Sequence, residues 1–357
     1  MTAQRLVKLR QELQQRGLEA LLITHPVNRR YITGFTGSSG YALVTQSQSW
    51  LLTDFRYMEQ APQEAADFEV VEHGAQPIDT IAELLAGAGI TRVGFEQDHV
   101  AYSLYAAWGK ALGGIVLEPV GGVVEQLRMF KDADELAVMR EAAQLADDTF
   151  AYVTQLAKPG MRESDLALEM EVYMRSRGAT SSSFDTIVAS GERSALPHGV
   201  ASDRKLQAEE FVKFDFGALY RGYCSDLTRT VYLGSSPTAR HREIYEIVLE
   251  AQLHALVHIR PGMTGREADA LTRDIITRYG YGDQFGHGTG HGLGMEIHES
   301  PRLSRLSDTV LAPGMTVTVE PGIYIPGFGG VRIEDDIVIT EQGISILTST
   351  PKAFLQV

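Results

Sequence analysis

Two acidic residues lie within an apolar, strand-like segment at residues 211–233, FVKFDFGALYRGYCSDLTRTVYL. Asp215 and Asp226 stand on either side of a glycine-containing turn, and the alternation around them predicts a β-hairpin. Because aspartate is disfavoured inside strands, each carboxylate needs a partner or a cation that neutralises it. The segment therefore favours either an ion pair, such as Asp226 with Arg229, or a bound metal ion.

A second acidic segment covers residues 315–340, MTVTVEPGIYIPGFGGVRIEDDIVIT, and predicts two alternating strands around a turn that contains proline and glycine. Side chains two residues apart in a strand share one face. Glu320 in the first strand and Glu334 in the second are therefore each assigned to one face, and these two faces are expected to point into the same space. Asp335 and Asp336 are expected on a solvated face.

Between these segments, residues 285–302 read FGHGTGHGLGMEIHESPR. His287 and His291 have the spacing of a helical metal pair, but glycine occupies every second position from Gly286 to Gly294. Glycine destabilises a helix and allows close backbone approach. We therefore expect an extended or irregular segment that presents His291 singly.

The candidate ligands are rich in oxygen, which suits divalent cations such as Mn²⁺, with Co²⁺ or Zn²⁺ as alternatives. There are more of them than one structural zinc uses. Carboxylates can bridge two cations about 4 Å apart, and such a pair lowers the pKa of a shared water molecule. The predicted chemistry is hydrolysis at two metal ions. The candidate ligands are Asp215, Asp226, His291, Glu320 and Glu334.

The elements that must position these residues form two predicted domains, residues 1–128 and 129–357. Strand-like runs such as ALLIT, YALVT and WLLTD predict an α/β unit first, and a long helical pattern begins near Asp132. In the second part, KPGM at 158–161 and RPGM at 260–263 each separate two helical segments. This weak repeat predicts two related halves, each supplying one acidic segment, although chance similarity of short helices is an alternative.

Composition excludes several classes of protein. The formal charge of −14 and the absence of Lys/Arg clusters disfavour nucleic acid as a partner. Apolar runs are too short for a membrane span. Residues 1–17 place leucines at helical spacing rather than forming the apolar core of a signal peptide, and a single cysteine, Cys224, suits a reducing compartment. We therefore expect a cytoplasmic protein, and for Cys224 a packing role.

Four stretches, DFGALYRGYCSDLTRT, GHGTGHGLGMEIHESP, VEPGIY and VRIEDD, resemble in this order the pita-bread metallopeptidases, which include methionine aminopeptidase, aminopeptidase P and prolidase. The resemblance covers most of the chain, since the part before residue 124 looks like a creatinase-type N-terminal domain. The implied fold is α+β: a C-terminal pita-bread (creatinase/aminopeptidase) fold with pseudo-twofold halves, preceded by a smaller α/β creatinase-type domain.

The resemblance also implies how the metal ligands divide between two ions. Asp215 is implied to be terminal on one ion, and His291 and Glu320 to ligate the other. Asp226 and Glu334 are implied to bridge the two. Glu320 further resembles the general base that receives a proton from the attacking water.

Other implied residues contact the substrate. His198 in PHG and His298 in HESP resemble the catalytic residues that stabilise a tetrahedral intermediate. His287 and Arg332 resemble either residues that support the metal ligands from behind or substrate contacts, and Arg302 and Phe184 resemble substrate contacts. For Phe184, which resembles a position lining a proline pocket, a core aromatic is the alternative.

Two features separate the branches of this family. Creatinase shares the fold without the metal set, and methionine aminopeptidase lacks the N-terminal domain, so the proline-specific members fit best. GFTGSSGYALVT is more similar to aminopeptidase P, whereas HESPR with Arg302 also occurs in prolidase-like sequences. We predict an Xaa-Pro aminopeptidase, with an Xaa-Pro dipeptidase as the alternative and an inactive binding protein on this fold as a remote one.

The resemblance also implies the partners. They are short peptides with proline at the second position. Because members of this family are commonly dimers, we expect a homodimer or a higher homo-oligomer as well.

Overall fold

The computed structural model describes residues 2–357. Its backbone groups into two compact units, one that ends at Arg128 and one that spans Met129–Val357. None of the helices within residues 2–357 is long and apolar enough to cross a membrane. All of the candidate site residues belong to the second unit.

The first unit is built on one six-stranded sheet. Its helices are α1 (Thr2–Gln15), α2 (Pro26–Thr33), α3 (Ala61–Glu64), α4 (Pro77–Gly87), α5 (Tyr102–Ala111) and α6 (Val123–Arg128). Its strands are β1 (Ala20–Ile23), β2 (Tyr41–Thr45), β3 (Ser49–Thr53), β4 (Glu69–Glu72), β5 (Arg92–Glu96) and β6 (Val116–Val120). The strand order is β4, β3, β2, β1, β5, β6; β2 is antiparallel to both neighbours, and the other adjacent pairs are parallel.

Hydrophobic patterning explains the elements of this unit. In α1 the leucines at helical spacing, Leu6, Leu9 and Leu13, are buried. The apolar run of β1 is buried along its whole length, as expected of a central strand covered on both faces. The predicted α/β unit is therefore present, with ALLIT, YALVT and WLLTD as its first three strands.

The second unit contains four long helices and several small sheets. The helices are α7 (Ala133–Leu156), α8 (Glu163–Ser176), α9 (Ala239–His258) and α10 (Gly265–Arg278). The strands are β7 (Ser181–Ser182), β8 (Ile187–Ser190), β9 (Glu210–Phe216), β10 (Ala218–Tyr220), β11 (Tyr223–Cys224), β12 (Leu227–Leu233), β13 (Gly290–Gly292), β14 (Glu299–Leu303), β15 (Thr316–Val319), β16 (Gly322–Ile325), β17 (Gly329–Arg332), β18 (Asp335–Thr340) and β19 (Gly343–Ile346). The larger sheets have the orders β12-β9-β8 and β14-β13-β15-β18-β19.

The helices of this unit form the two predicted pairs. The KPGM turn joins α7 to α8, and the RPGM turn joins α9 to α10. Reciprocal capping boxes begin three of the four: Asp132 with Glu135 at α7, and threonine N-caps at α9 and α10. In one core, Phe150 of α7 and Met170 of α8 pack with Phe214 of β9; α9 and α10 pack in another with β16 and β17. The unit is a pita-bread fold with two related halves.

The predicted hairpins exist, but each is interrupted. Strands β9 and β12 pair antiparallel with Asp215 opposite Thr228, while β10 and β11 between them form part of a separate sheet. The second segment contains four strands rather than two: β15 pairs with β18, and β16 pairs with β17. Pro321, which has no N–H donor, follows Glu320 at one break, and Glu334 lies at the other. Asp226, Glu320 and Glu334 therefore lie next to strand ends, whereas Asp215 lies within β9.

Candidate active site

One cavity of about 550 Å³ in the second unit collects every candidate site residue. Its walls come from the segment around His198, from β8 and β9, from the residue before β12, from β13 and β14, and from the two strand breaks. The candidates that line it are Phe184, His198, Asp215, Asp226, His287, His291, His298, Arg302, Glu320, Arg332 and Glu334.

Three side chains converge most closely within this cavity. Asp226, His291 and Glu334 each offer one ligand atom, and these atoms lie within 4.8 Å of one another. All three residues are buried. Asp226 immediately precedes β12, Glu334 precedes β18, and the pairing of β13 with β14 shifts register after His291. Irregular strand positions of this kind re-aim side chains and recur beside active sites.

The carboxylates of this cluster are electrostatically unsatisfied by the protein. Asp226 Oδ1 and Glu334 Oε1 are buried and have no hydrogen-bond partner among residues 2–357. The other oxygen of Glu334, Oε2, accepts from the Thr228 hydroxyl at 2.5 Å. Burial, and then repulsion between neighbouring carboxylates, raises the pKa of both Asp226 and Glu334 well above the ordinary range. A divalent cation would satisfy the orphaned oxygens, so these residues fit a metal site.

The ring of His291 is oriented for ligation. Its Nδ1 lies 3.1 Å from the carbonyl oxygen of Gly292, and because a carbonyl only accepts, Nδ1 carries the proton. Burial lowers the pKa of His291 to about 3, so the ring is neutral near pH 7. Nε2 therefore carries a lone pair and lies 3.6 Å from Asp226 Oδ2, so both atoms are available to ligate one cation.

Glycine permits this placement of His291, because the backbone here is crowded by its neighbours. A Cβ atom at Gly290 would lie 1.9 Å from the carbonyl oxygen of Thr318, and one at Gly292 would lie 2.3 Å from that of Ser300. Any larger residue would push β13 away from the strands beside it. The glycine alternation thus serves close packing of an extended segment, as the sequence predicted.

Glu320 lies beside the cluster rather than within its tightest part. Its Oε1 is 3.4 Å from His291 Nε2 and accepts from the Thr318 hydroxyl at 3.0 Å. Burial raises the pKa of Glu320 to about 7, while the nearby Arg332 opposes the rise. A carboxylate with such a pKa can accept and release a proton near neutral pH.

Asp215 is held by an arginine. Arg332 Nη2 donates to Asp215 Oδ2 in a buried ion pair, and Arg332 Nη1 donates to the Tyr324 hydroxyl at 2.7 Å. The three closest ligand atoms do not include an oxygen of Asp215. The structure therefore brings Asp215 to the same cavity but ties it to a cation of the protein itself.

His287 ends this chain of hydrogen bonds. Its Nδ1 donates to the carbonyl oxygen of Gly288 at 2.7 Å, and its Nε2 accepts from the Tyr324 hydroxyl at 2.8 Å. Burial lowers the pKa of His287 to about 4, which keeps the ring neutral. Both ring nitrogens are engaged by the protein, so His287 supports Tyr324 and Arg332 rather than offering a free N–H.

The remaining candidates line the cavity outside the cluster. The His298 ring lies edge-to-face with the His291 ring at 4.5 Å, and burial lowers the pKa of His298. His198 and Arg302 are exposed, and Phe184 is half-buried. This wall can contact a molecule that fills the cavity.

Two expectations about acidic residues are wrong. Asp335 and Asp336 are buried rather than solvated, at 0% and 1% exposure. Asp335 binds Arg229 at 2.8 Å, and Asp336 Oδ2 accepts from the backbone N–H of Asp226 at 2.9 Å. Arg229 therefore pairs with Asp335 instead of Asp226.

Sequence reasoning missed three residues of the site. Tyr324 links His287 to Arg332, and Thr228 bonds to Glu334. Lys213 lies fully buried near the cavity, and its position two residues before Asp215 on β9 was the available signal, since it must share a strand face with that ligand candidate. Cys224 is buried, and burial raises its pKa to about 12, in keeping with the expected packing role.

Comparisons with known proteins agree with this architecture. The model of metallopeptidase family M24 matches residues 137–341, and that of the Creatinase/Prolidase N-terminal domain matches residues 5–130. An Xaa-Pro dipeptidase of Pyrococcus furiosus is 40% identical over 353 residues, covering 99% of each chain.

Solved structures show the same likeness. An Xaa-Pro dipeptidase from Bacillus anthracis superposes with a TM-score of 0.98 at 50% identity, covering 100% of both chains. An X-Pro aminopeptidase from Thermotoga maritima MSB8 superposes with a TM-score of 0.92 at 39% identity, covering 97% of this chain and 100% of that one.

Proposed function

Since this chain belongs to metallopeptidase family M24, we propose that it is an Xaa-Pro dipeptidase, hydrolysing the bond between the first residue and proline in a dipeptide. The observation that carries the proposal is the exposed guanidinium of Arg302 on the wall of the cavity that contains Asp226, His291 and Glu334. A dipeptide places its C-terminal carboxylate directly after the scissile bond, where a cation would bind it.

The relatives support the same choice. The Bacillus anthracis structure and the Pyrococcus furiosus protein are both named Xaa-Pro dipeptidase. The sequence alone favoured the aminopeptidase reading, and these names favour its alternative.

Side chains of the cavity supply the groups that the reaction requires. The carboxylates and His291 would hold divalent cations, which would supply hydroxide near neutral pH by lowering the pKa of a water molecule. Glu320, with its pKa raised to about 7, accepts the proton of that water and passes it to the departing proline nitrogen. His198 and His298 donate hydrogen bonds from their ring N–H groups to the oxygen of the attacked carbonyl, which gains negative charge.

Proline selectivity comes from the apolar part of the cavity wall. Phe184, Ile187, Val200 and Ile297 line the cavity together with the polar groups. A pyrrolidine ring has no N–H once it is acylated and presents only methylene groups to such a wall. Mn²⁺ is the proposed ion at the cluster, because the donors are mainly carboxylate oxygens.

The test compares a dipeptide with a longer peptide. Purified protein supplied with Mn²⁺ is assayed with Ala-Pro and Ala-Pro-Ala, and we expect the dipeptide to be the better substrate. Arg302→Ala should raise KM for Ala-Pro by about 10- to 100-fold, the loss expected for one hydrogen bond to a charged group. Arg305→Ala is the matched control, since Arg305 is exposed nearby and does not line the cavity.

An Xaa-Pro aminopeptidase is the second candidate. The 39% identical Thermotoga structure carries that activity in its name, and GFTGSSGYALVT resembles aminopeptidase P. Equal or faster cleavage of Ala-Pro-Ala, unaffected by Arg302→Ala, would select this activity.

Two further properties are proposed on the sequence alone. A homodimer or a higher homo-oligomer is expected from the family resemblance, and size-exclusion chromatography with light scattering tests it. Location in the cytoplasm rests on the single cysteine, and cell fractionation tests it.

A further inference from the structure

His198 is carried by a surface segment, residues 191–201, which we call the His198 strap. It begins with the 3₁₀ turn Gly191–Ala195 after β8 and continues without regular structure. Leu196 and Val200 are 48% and 46% exposed, and His198 is exposed as well. Side-chain burial therefore contributes little to fixing the central part of the strap.

The two ends of the strap are tied to one buried carboxylate. Glu163, at the start of α8, accepts from the backbone N–H of Ser190 at 2.8 Å and from the Ser202 hydroxyl at 2.6 Å. It also bonds to Arg193, whose other amino group donates to the carbonyl oxygen of Val200 at 2.9 Å. These bonds fix the base of the strap but not the part beside His198.

A buried lysine lies beneath that central part. Lys213 on β9 has no solvent exposure, and its Nζ donates to the carbonyl oxygens of Leu196 at 2.6 Å and Ser194 at 3.2 Å. The carbonyl oxygen of Pro197, which directly precedes His198, is 3.5 Å away. The Lys213 Nζ can donate to more than one acceptor, and three carbonyls of the strap surround it.

The strap also lies directly against β17. A Cβ atom at Gly330 would come within 2.6 Å of the carbonyl oxygen of Ser194, and the Gly330 N–H donates to the Ser194 hydroxyl at 2.8 Å. Arg332 Nη1 adds a bond to the carbonyl oxygen of Pro197 at 3.2 Å. The strap is thus positioned through its backbone, with Lys213 contacting three successive parts of it.

We propose that Lys213 is a positioning residue, which holds the His198 strap over the cavity so that His198 meets the reacting peptide. The inference rests on the proposed peptidase activity and deepens it. A lysine inside an apolar strand loses its hydration, and backbone carbonyls replace that water here. An apolar residue of similar length would fill the space but remove the one donor that these carbonyls share. Pro197 would keep only the bond from Arg332, and Leu196 only the bond from the Gly199 N–H.

The first test separates a positioning role from a purely structural one. Lys213→Met keeps the side-chain length and removes the donors, and Lys205→Met makes the same change at an exposed lysine nearby. We expect Lys213→Met to lower kcat for Ala-Pro by about 10- to 100-fold, the cost of misplacing a catalytic group by about 1 Å. KM and bound Mn²⁺ should stay within about two-fold, because ground-state binding and the metal ligands are untouched. Wild-type kcat in Lys213→Met would overturn the proposal.

A double-mutant cycle with His198→Ala shows whether Lys213 acts through His198. If it does, Lys213→Met adds almost no loss of kcat to the His198→Ala protein, whereas independent roles multiply the two losses. Multiplicative losses would overturn the proposal. If Lys213→Met does not fold, Lys213→Gln takes its place in both tests, because its amide retains two donors and should give an intermediate kcat.

Hydrogen exchange tests the same proposal without activity. Peptides covering residues 191–201 should exchange faster in Lys213→Met than in wild type or Lys205→Met, and unchanged exchange would contradict the role of Lys213. A wild-type protein that cleaves no Xaa-Pro peptide would reject the proposed function, while the exchange experiment still decides whether Lys213 holds the strap.

Discussion

Buried carboxylates lie on both faces of the start of β18, and their pairing differs from one face to the other. One face carries Asp335, and the other carries Glu334 and Asp336. Asp335 is fully paired: Arg229 lies at 2.8 Å, Lys352 at 3.0 Å and Gln252 at 2.6 Å from its oxygens. The Thr348 hydroxyl donates to it as well, at 2.8 Å. The fold itself neutralises this charge.

The group on the other face has no comparable set of partners. Asp226, Glu334 and Asp336 each retain one buried oxygen without a hydrogen-bond partner in the described part of the chain. Repulsion between neighbouring carboxylates helps burial to raise all three pKa values. The difference separates Asp335, which is paired within the fold, from Asp226 and Glu334, for which we propose a cation as the partner and which we call the reserved carboxylates.

The largest expected effect concerns Glu320, which lies beside the reserved carboxylates, 3.4 Å from His291 Nε2. Glu320→Gln removes a proton acceptor and keeps the shape, so kcat for Ala-Pro should fall by about 10²- to 10⁴-fold. The melting temperature should change little. Glu341→Gln, which alters an exposed carboxylate, serves as the control in steady-state kinetics. A Glu320→Gln enzyme with near-normal turnover would remove Glu320 from the chemistry.

A substitution of Asp335, the paired carboxylate, should affect stability instead of turnover. Asp335→Asn leaves Arg229 buried beside a neutral group, and the free energy of unfolding should fall by about 3–5 kcal/mol. The matched control, Asp308→Asn, breaks an ion pair whose side chains are 56% and 78% exposed. That change should cost less than about 1 kcal/mol. Urea unfolding in constant Mn²⁺ measures both, and equal losses would erase the distinction between paired and reserved carboxylates.

A smaller effect concerns pH. In the metal-free protein the pKa values of Asp226, Glu334 and Glu320 exceed their unfolded values, so the folded state binds more protons around pH 7. These groups therefore destabilise the metal-free fold at high pH, and the cost shrinks as pH falls through about 7, the pKa of Glu320.

Bound cations compete with those protons and remove the repulsion. The gap in melting temperature between Mn²⁺-loaded and EDTA-treated protein should therefore narrow by a few degrees from about pH 8 to about pH 6. A gap that widens toward low pH would contradict this sign.

The sequence predicted the site better than the strands that carry it. Residue type and spacing led to the five candidate metal ligands, and the family resemblance led to the other candidates on the cavity wall. The hairpins were predicted as continuous, whereas Glu320 and Glu334 lie at breaks, since alternation does not reveal where a strand stops pairing. His287 was expected behind the metal ligands or among the substrate contacts, and both of its ring nitrogens are engaged by the protein.

Sequence reasoning could not predict which side chains, distant along the chain, would pair with one another. Asp335 finds Lys352 and Gln252 only when β18, the chain end and α9 come together, so a solvated face was the wrong expectation. Lys213 was overlooked for the same reason, because its carbonyl partners lie in a segment without regular structure.

The most direct test of the proposed metal site counts the Mn²⁺ ions that each chain binds. Equilibrium dialysis of metal-free protein against Mn²⁺ should give about two ions per chain, the number that a bridged carboxylate site holds. Asp226→Asn should bind fewer ions or bind them more weakly, while Asp148→Asn, at an exposed position, should match wild type. Wild-type protein that binds no Mn²⁺, or an Asp226→Asn protein that binds it equally well, would contradict the account.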